Sequence, residues 1–151
     1  MRVCIGGTFN ILHKGHESLI DKAFKTAGKN GMVFIGITNG KMLNKKKNVK
    51  PFENRVKAIN KYILSKGYTI YTEIKPIYNK YGPTINGEFD VIVVSTETFK
   101  TAEKINKKRI KNGKKPLIIF KIPMVLAEDK KPISATRIFN KNIDRKGKIK
   151  K

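Results

Sequence analysis

The chain has 151 residues and a mass of 17.2 kDa, enough for one domain around one core and too little for two. Hydrophobic residues make up 39% and charged residues 30%, which excludes a disordered chain, and no apolar run approaches the roughly 20 residues of a membrane span. Lys and Arg number 34 against 11 Asp and Glu, a formal net charge of +23, and such a field attracts anions: nucleotides, phosphorylated metabolites or nucleic acid.

The first five residues lead straight into an apolar strand, with no long apolar stretch or cleavage site, and read as no export signal. One cysteine, Cys4, excludes an intrachain disulfide framework and a Cys-rich zinc site. A reducing cytosol is the expected compartment.

Five short apolar runs predict strands: Arg2–Ile5, Met32–Ile37, Thr69–Ile74, Asp90–Val94 and Leu117–Ile122. They mostly lack alternation, as strands buried on both faces do. Helical stripes lie between them at Glu17–Ala27, Phe52–Leu64 and Thr98–Lys111, and glycines follow each. Strands alternating with such helices predict a Rossmann-like α/β fold, an open parallel five-stranded sheet with helices on both faces. Three segments fit no element: the turn Gly6–Gly15, the basic loop Asn39–Lys50 and the loop Ile77–Glu88. The folded domain is expected over residues 1–140, with residues 141–151 a basic tail that frays.

Two segments carry chemistry. The first is Gly6-Gly7-Thr8-Phe9-Asn10-Ile11-Leu12-His13-Lys14-Gly15-His16, which joins the first strand to the first helix. Glycines there let the backbone approach a ligand, and the helix N-terminus offers N–H groups to phosphate. His13 and His16 are the only two histidines. Their spacing brings both imidazoles to the helix entrance, where they can donate to phosphate oxygens as charge builds. No Cys, Asp or Glu cluster nearby completes a tetrahedral zinc site, so no protein-held metal is expected. The second segment is Lys131-Pro132-Ile133-Ser134-Ala135-Thr136-Arg137-Ile138. It reads equally as a Ser-capped last helix or as a polyphosphate grip built from hydroxyls and an arginine.

Together the two segments resemble the signature pair of the HxGH nucleotidyltransferases, although Phe139 stands where a second arginine is usual. Tyr81-Gly82-Pro83, Val93 to Thr98, Ile105 to Arg109, Pro123 to Asp129 and Pro51 to Val56 narrow the resemblance to the archaeal phosphopantetheine adenylyltransferases, from Arg2 to about Asn140. That family transfers the AMP moiety of ATP to 4′-phosphopantetheine, giving dephospho-coenzyme A and pyrophosphate. The resemblance implies ATP and 4′-phosphopantetheine as partners, Mg2+ arriving with ATP, and a cytoplasmic enzyme of coenzyme A biosynthesis.

Carried over by position, the resemblance implies that His16 contacts the α-phosphate and His13 holds the triphosphate. Gly6 and Gly7 shape the turn, and Thr8 and Phe9 orient the attacking phosphate. Ser134, Thr136 and Arg137 are expected to grip the β- and γ-phosphates. One lysine of the 39–50 loop should close over the phosphates, either Lys41 or a lysine within Lys45–Lys47. Ser95 and Glu97 are expected near the nucleotide, unless Ser95 to Thr98 only cap the third helix. Arg109 is either a site residue or a solvated cation on a basic face. Two positions depart from the family: its usual Asp reads Asn10, and its Asp-x-Tyr-Gly-Pro reads Asn79-Lys80-Tyr81-Gly82-Pro83. Another enzyme on this scaffold, such as an FAD synthetase or a glycerol-phosphate cytidylyltransferase, shares the His-x-Gly-His turn. A basic nucleic-acid-binding domain would need its lysines gathered on one face with interleaved aromatics, and here they are scattered. The charge reads instead as compositional bias, so no specific nucleic-acid partner is expected.

Overall fold

The computed structural model describes residues 1–150 except Lys45 and Lys47, and the backbone alone at Ala135 and Thr136. Five strands form in chain order: β1 (Arg2–Gly7), β2 (Met32–Thr38), β3 (Tyr71–Ile77), β4 (Val91–Val94) and β5 (Ile118–Lys121). All pairings are parallel, in the order β3-β2-β1-β4-β5. Helices α1 (Lys14–Ala27), α2 (Phe52–Lys66) and α3 (Phe99–Lys111) connect them, and α4 (Ala135–Phe139) follows the last strand.

The period of the strands explains the two-sided core. Val3, Ile5, Val33, Ile35, Val91 and Val93 share one cluster with Ile20 and Phe24 of α1 and Ile59 and Ile63 of α2. Their neighbours Cys4, Phe34, Ile92 and Val94 turn to the other face and meet Ala102 and Ile105 of α3. Both faces of the central strands are covered, so apolar residues run along β1, β2 and β4 instead of alternating with polar ones, whereas the edge strands β3 and β5 are mostly half-buried or exposed. Among the described residues, no helix is long and apolar enough to cross a membrane.

Strand β3 runs later than the pattern predicts, ending at Ile77, because its register pairs Met32 with Tyr71 through Thr38 with Ile77. Pro76 lies inside it. The strand is at the sheet edge, where a missing N–H is tolerated. Residues 141–150, expected as a basic tail, make contacts with the rest of the domain. Ile143 is fully buried with Ala127 and Ile133, and it bridges to Ile149. The N–H of Lys14 donates to the carbonyl of Arg145 (3.1 Å), and that of Glu128 to Gly147 (2.7 Å). One apolar side chain in a Lys-rich segment thus anchors it.

The chain goes out from β1 to β2 and β3, then returns to lay β4 on the other side of β1. The reversal opens a crevice beyond the carboxyl ends of β1 and β4, where open α/β sheets bind their ligands.

Candidate active site

A cleft of about 420 Å3 occupies that crevice. Its walls are the turn after β1, the start of α1, the Ser95–Thr98 segment after β4, residues Ile122–Val125 after β5, and Pro132–Ser134 before α4.

The histidines are built into the helix entrance. His13 is the N-cap of α1, and its Nδ1 accepts from the N–H of Gly15 (3.0 Å) and of His16 (3.4 Å). Nδ1 of His16 accepts in return from the N–H of His13 (3.3 Å), so the pair forms a reciprocal capping box. The rings stack with centroids 3.8 Å apart, and Phe9 packs on His16 at 5.0 Å. The glycine between them is required by space: a Cβ at Gly15 would stand 2.9 Å from Cε1 of His13.

The capping bonds fix the tautomers. Each Nδ1 is an acceptor, so in the neutral ring each proton sits on Nε2, the nitrogen left to donate. Burial pushes the pKa of His13 down to about 4. It pushes His16 down to about 3, helped by the charges of His13 and Lys46 and opposed by a backbone bond to Ile11. Both imidazoles are therefore neutral donors at pH 7.

Beside them lies a polar knot. The Thr8 hydroxyl oxygen accepts from the Thr38 hydroxyl (2.9 Å) and from Nζ of Lys46 (2.5 Å). With both lone pairs taken, its own proton is directed elsewhere as a donor. Arg55 is 1% exposed and lies beneath, donating through Nη1 to the carbonyls of Thr8 (3.2 Å) and Thr38 (2.7 Å) and through Nε to that of Lys50 (2.9 Å).

Gly6, Gly7, Thr8, Phe9, His13, His16, Ser95, Glu97 and Ser134 all line the cleft. The Ser134 hydroxyl accepts from the N–H of Arg137 (3.2 Å) and caps α4. Three expected residues lie elsewhere. Lys41 is exposed on a 3-10 turn (Gly40–Leu43) and does not line the cleft; among the described lysines, Lys46 does. Lys45 and Lys47, the other candidates, lie outside the described residues, as does the side chain of Thr136. Arg109 is buried at 4% exposure, and its Nη1 donates to the carbonyls of Thr84 (2.8 Å), Ile85 (3.4 Å) and Gly87 (2.9 Å), so it braces the 77–88 loop from behind. Arg137 pairs with Asp129 and donates to the carbonyl of Pro132 (2.9 Å).

Sequence reasoning assigned no site role to Arg55 or Thr38, and noted Asn10 only as a departure from the family's usual Asp. The signal for Arg55 was present: it falls on the stripe of Phe52, Ile59 and Ile63, and an arginine facing a core needs partners.

A second, apolar groove of about 150 Å3 adjoins the cleft and shares Gly6, Gly7, Thr38 and Thr98 with it. Ile77, Tyr81, Gly82 and Pro83 form its outer wall. Gly82 has φ +52°, and a Cβ there would meet Cγ2 of Ile77 at 2.8 Å, so the wall closes only on a glycine. Two ammonium groups lie over the Tyr81 ring, Lys80 at 5.2 Å and Lys108 at 5.3 Å from its centroid.

The cytidylyltransferase-like family model matches residues 4–141. The chain is 46% identical over 151 residues to a phosphopantetheine adenylyltransferase of Methanosarcina mazei, covering 99% of this chain and 97% of the relative. It is 43% identical over 150 residues to that of Archaeoglobus fulgidus, covering 99% of each. A crystal structure from Archaeoglobus fulgidus, described as a protein with unknown function, superposes with a TM-score of 0.72 at 39% identity, over 81% of this chain and 89% of that one. The chain belongs to the cytidylyltransferase-like family and, within it, to the archaeal phosphopantetheine adenylyltransferases.

Proposed function

We propose that the chain transfers the AMP moiety of ATP to 4′-phosphopantetheine, giving dephospho-coenzyme A and pyrophosphate. The observation that carries the chemistry is the stacked His13–His16 pair, with two neutral Nε2 donors beside the Thr8 hydroxyl and the Lys46 ammonium. The acceptor follows from the relatives' identity over the whole chain.

An oxygen of the pantetheine phosphate attacks the α-phosphorus in line. One P–O bond forms as the bond to the β-phosphate oxygen breaks, and pyrophosphate leaves with that electron pair. No covalent enzyme intermediate is needed, so the protein's part is positioning and charge stabilisation. His16 donates to the α-phosphate, and His13 and the Ser134 turn hold the departing phosphates. Thr8 donates to the attacking phosphate. Lys46 offsets the repulsion between the two anions. Arg137 joins the grip by exchanging Asp129 for phosphate.

Magnesium, arriving as the ATP complex, would neutralise phosphate charge. The only carboxylate among the cleft's described lining residues is that of Glu97, and the hydroxyl-bearing Thr8, Ser95 and Ser134 line the same cleft. Such a donor set suits a hard cation that keeps its waters and binds chiefly through substrate phosphates. The apolar groove behind Tyr81 takes the extended acceptor arm, and its remote binding energy holds the phosphate in line. The cytoplasm, where ATP is held, is the compartment this reading expects.

The test is incubation with ATP, magnesium and 4′-phosphopantetheine. Dephospho-coenzyme A and pyrophosphate should appear in equal amounts. Failure to form either from the folded protein would overturn the reading.

A further inference from the structure

The lysine at the cleft belongs to a loop with little packing of its own. Lys46 is exposed, and the 3-10 turn before it has no buried residue. A long cation on such a loop loses much rotamer and backbone freedom whenever it sits over Thr8. Something must hold the loop if Lys46 is to be placed in advance.

Asn10 supplies the hold. Its Nδ2 donates to the carbonyl of Asn48 (2.9 Å), and its Oδ1 accepts from the N–H of Lys50 (2.7 Å). Asn48 is in the left-handed region at φ +60°. The amide thus bonds a donor and an acceptor two residues apart on one strand of chain, using both ends of one side chain. Only an amide offers that pairing: a carboxylate could accept from Lys50, but it would face the Asn48 carbonyl with no proton between them. The third tie, from Nε of Arg55 to the carbonyl of Lys50, comes from the opposite side (2.9 Å). Residue 10 follows Phe9, whose own φ is +50° and whose ring packs on His16. The clip therefore joins the histidine turn to the lysine loop through one residue.

We propose that Asn10 is a positioning residue that clips residues 48–50 to the phosphate turn and thereby holds Lys46 over Thr8. The proposal rests on the adenylyl-transfer reading for its kinetic consequence, whereas the clip itself stands on the hydrogen bonds. It also gives a reason for an amide at this place: in this chain residue 10 serves the loop rather than a metal.

Wild type, Asn10→Ala, Asn10→Asp, Lys46→Ala and the double variant Asn10→Ala/Lys46→Ala are compared in two measurements. The first is steady-state kinetics with ATP, magnesium and 4′-phosphopantetheine. Losing two hydrogen bonds of ordinary strength should lower kcat about tenfold in Asn10→Ala, with a smaller change in the KM for ATP. Asn10→Asp should be as slow. Adding Asn10→Ala to Lys46→Ala should cost less than about twofold more, because the residue acts through the lysine. The second is amide hydrogen exchange without substrate, where Asn10→Ala should speed exchange of the Lys50 N–H about tenfold or more. A full tenfold loss on top of Lys46→Ala would overturn the proposal, as would a Lys46→Ala variant of normal rate or an Asn10→Asp variant faster than wild type. If the wild type transfers no AMP to 4′-phosphopantetheine, the functional reading falls alone, and unchanged Lys50 exchange in Asn10→Ala would remove the clip.

Discussion

His16 is held by the same bonds that prepare it to donate. Its Nδ1 is committed to the His13 N–H, its ring lies against His13 and Phe9, and its proton is left on Nε2. His16→Ala should therefore lower kcat far more than it weakens ATP binding, by about 10²–10³ for one lost transition-state donor. Steady-state kinetics alongside ATP titration check this, and an unchanged kcat in a folded variant would contradict the assignment. The depressed pKa values carry a second expectation. Each folded imidazole titrates well below the ordinary 6.5, at about 4 and about 3, so the unfolded chain binds more protons in between. The histidines' contribution to stability is present above pH 6.5 and is lost as pH falls toward 3. The Tm of wild type should drop between pH 7 and 5 more steeply than that of His16→Ala. Over the same range kcat should show no acid limb from His16, since its ring stays neutral. At this scale the sequence made the pair visible, because two histidines three apart on a glycine turn have few other uses. It could not select Lys46 among the lysines of the loop, since they differ in sequence only by place. Among the described lysines, Lys46 meets the Thr8 hydroxyl, which the turn after β1 brings beside Thr38 at the end of β2.

Two buried arginines do the same work for the two long loops. Arg55, in the first turn of α2, gathers carbonyls from the phosphate turn and the lysine loop. Arg109, near the end of α3, gathers carbonyls from the 77–88 loop and, through Nε, from Lys115 (2.7 Å). A guanidinium's fork of donors can satisfy several carbonyls at once, and removing it would leave them unpaired. Arg109→Ala should destabilise the fold by roughly 2–4 kcal/mol and raise the KM for 4′-phosphopantetheine, while ATP binding changes little. Denaturant unfolding and the two KM values test this; a selective loss of ATP affinity would return Arg109 to the nucleotide site. These roles were hidden in the sequence for one reason. The loop partners are backbone carbonyls 22 to 25 residues away for Arg109 and up to 47 for Arg55, and no side-chain pattern marks them. The elements themselves were legible, since apolar runs and helical stripes depend only on near neighbours. The end of β3 was less legible: the strand continues past the predicted run through Pro76, which its edge position tolerates.

The whole molecule carries a formal charge of +23, and its lysines are scattered along the sequence. Among the described residues, those near the chemistry include Lys46 over Thr8, and Lys80 and Lys108 over the Tyr81 ring. Binding to DNA or RNA should accordingly be weak and sequence-blind, collapsing between about 50 and 200 mM salt as phosphate-only contacts do. Filter binding or anisotropy across that range checks it. Specific nanomolar binding at physiological salt would contradict it. The same charge suits a reaction that brings an anionic phosphate up to an anionic triphosphate, and the adjoining apolar groove suits a long, amide-bearing acceptor. The most direct test offers 4′-phosphopantetheine, pantetheine without its phosphate, FMN and glycerol phosphate side by side at equal concentration, with ATP or CTP and magnesium. Only 4′-phosphopantetheine should be adenylylated at an appreciable rate, with one pyrophosphate released per dephospho-coenzyme A formed; faster transfer to FMN or glycerol phosphate would contradict the account.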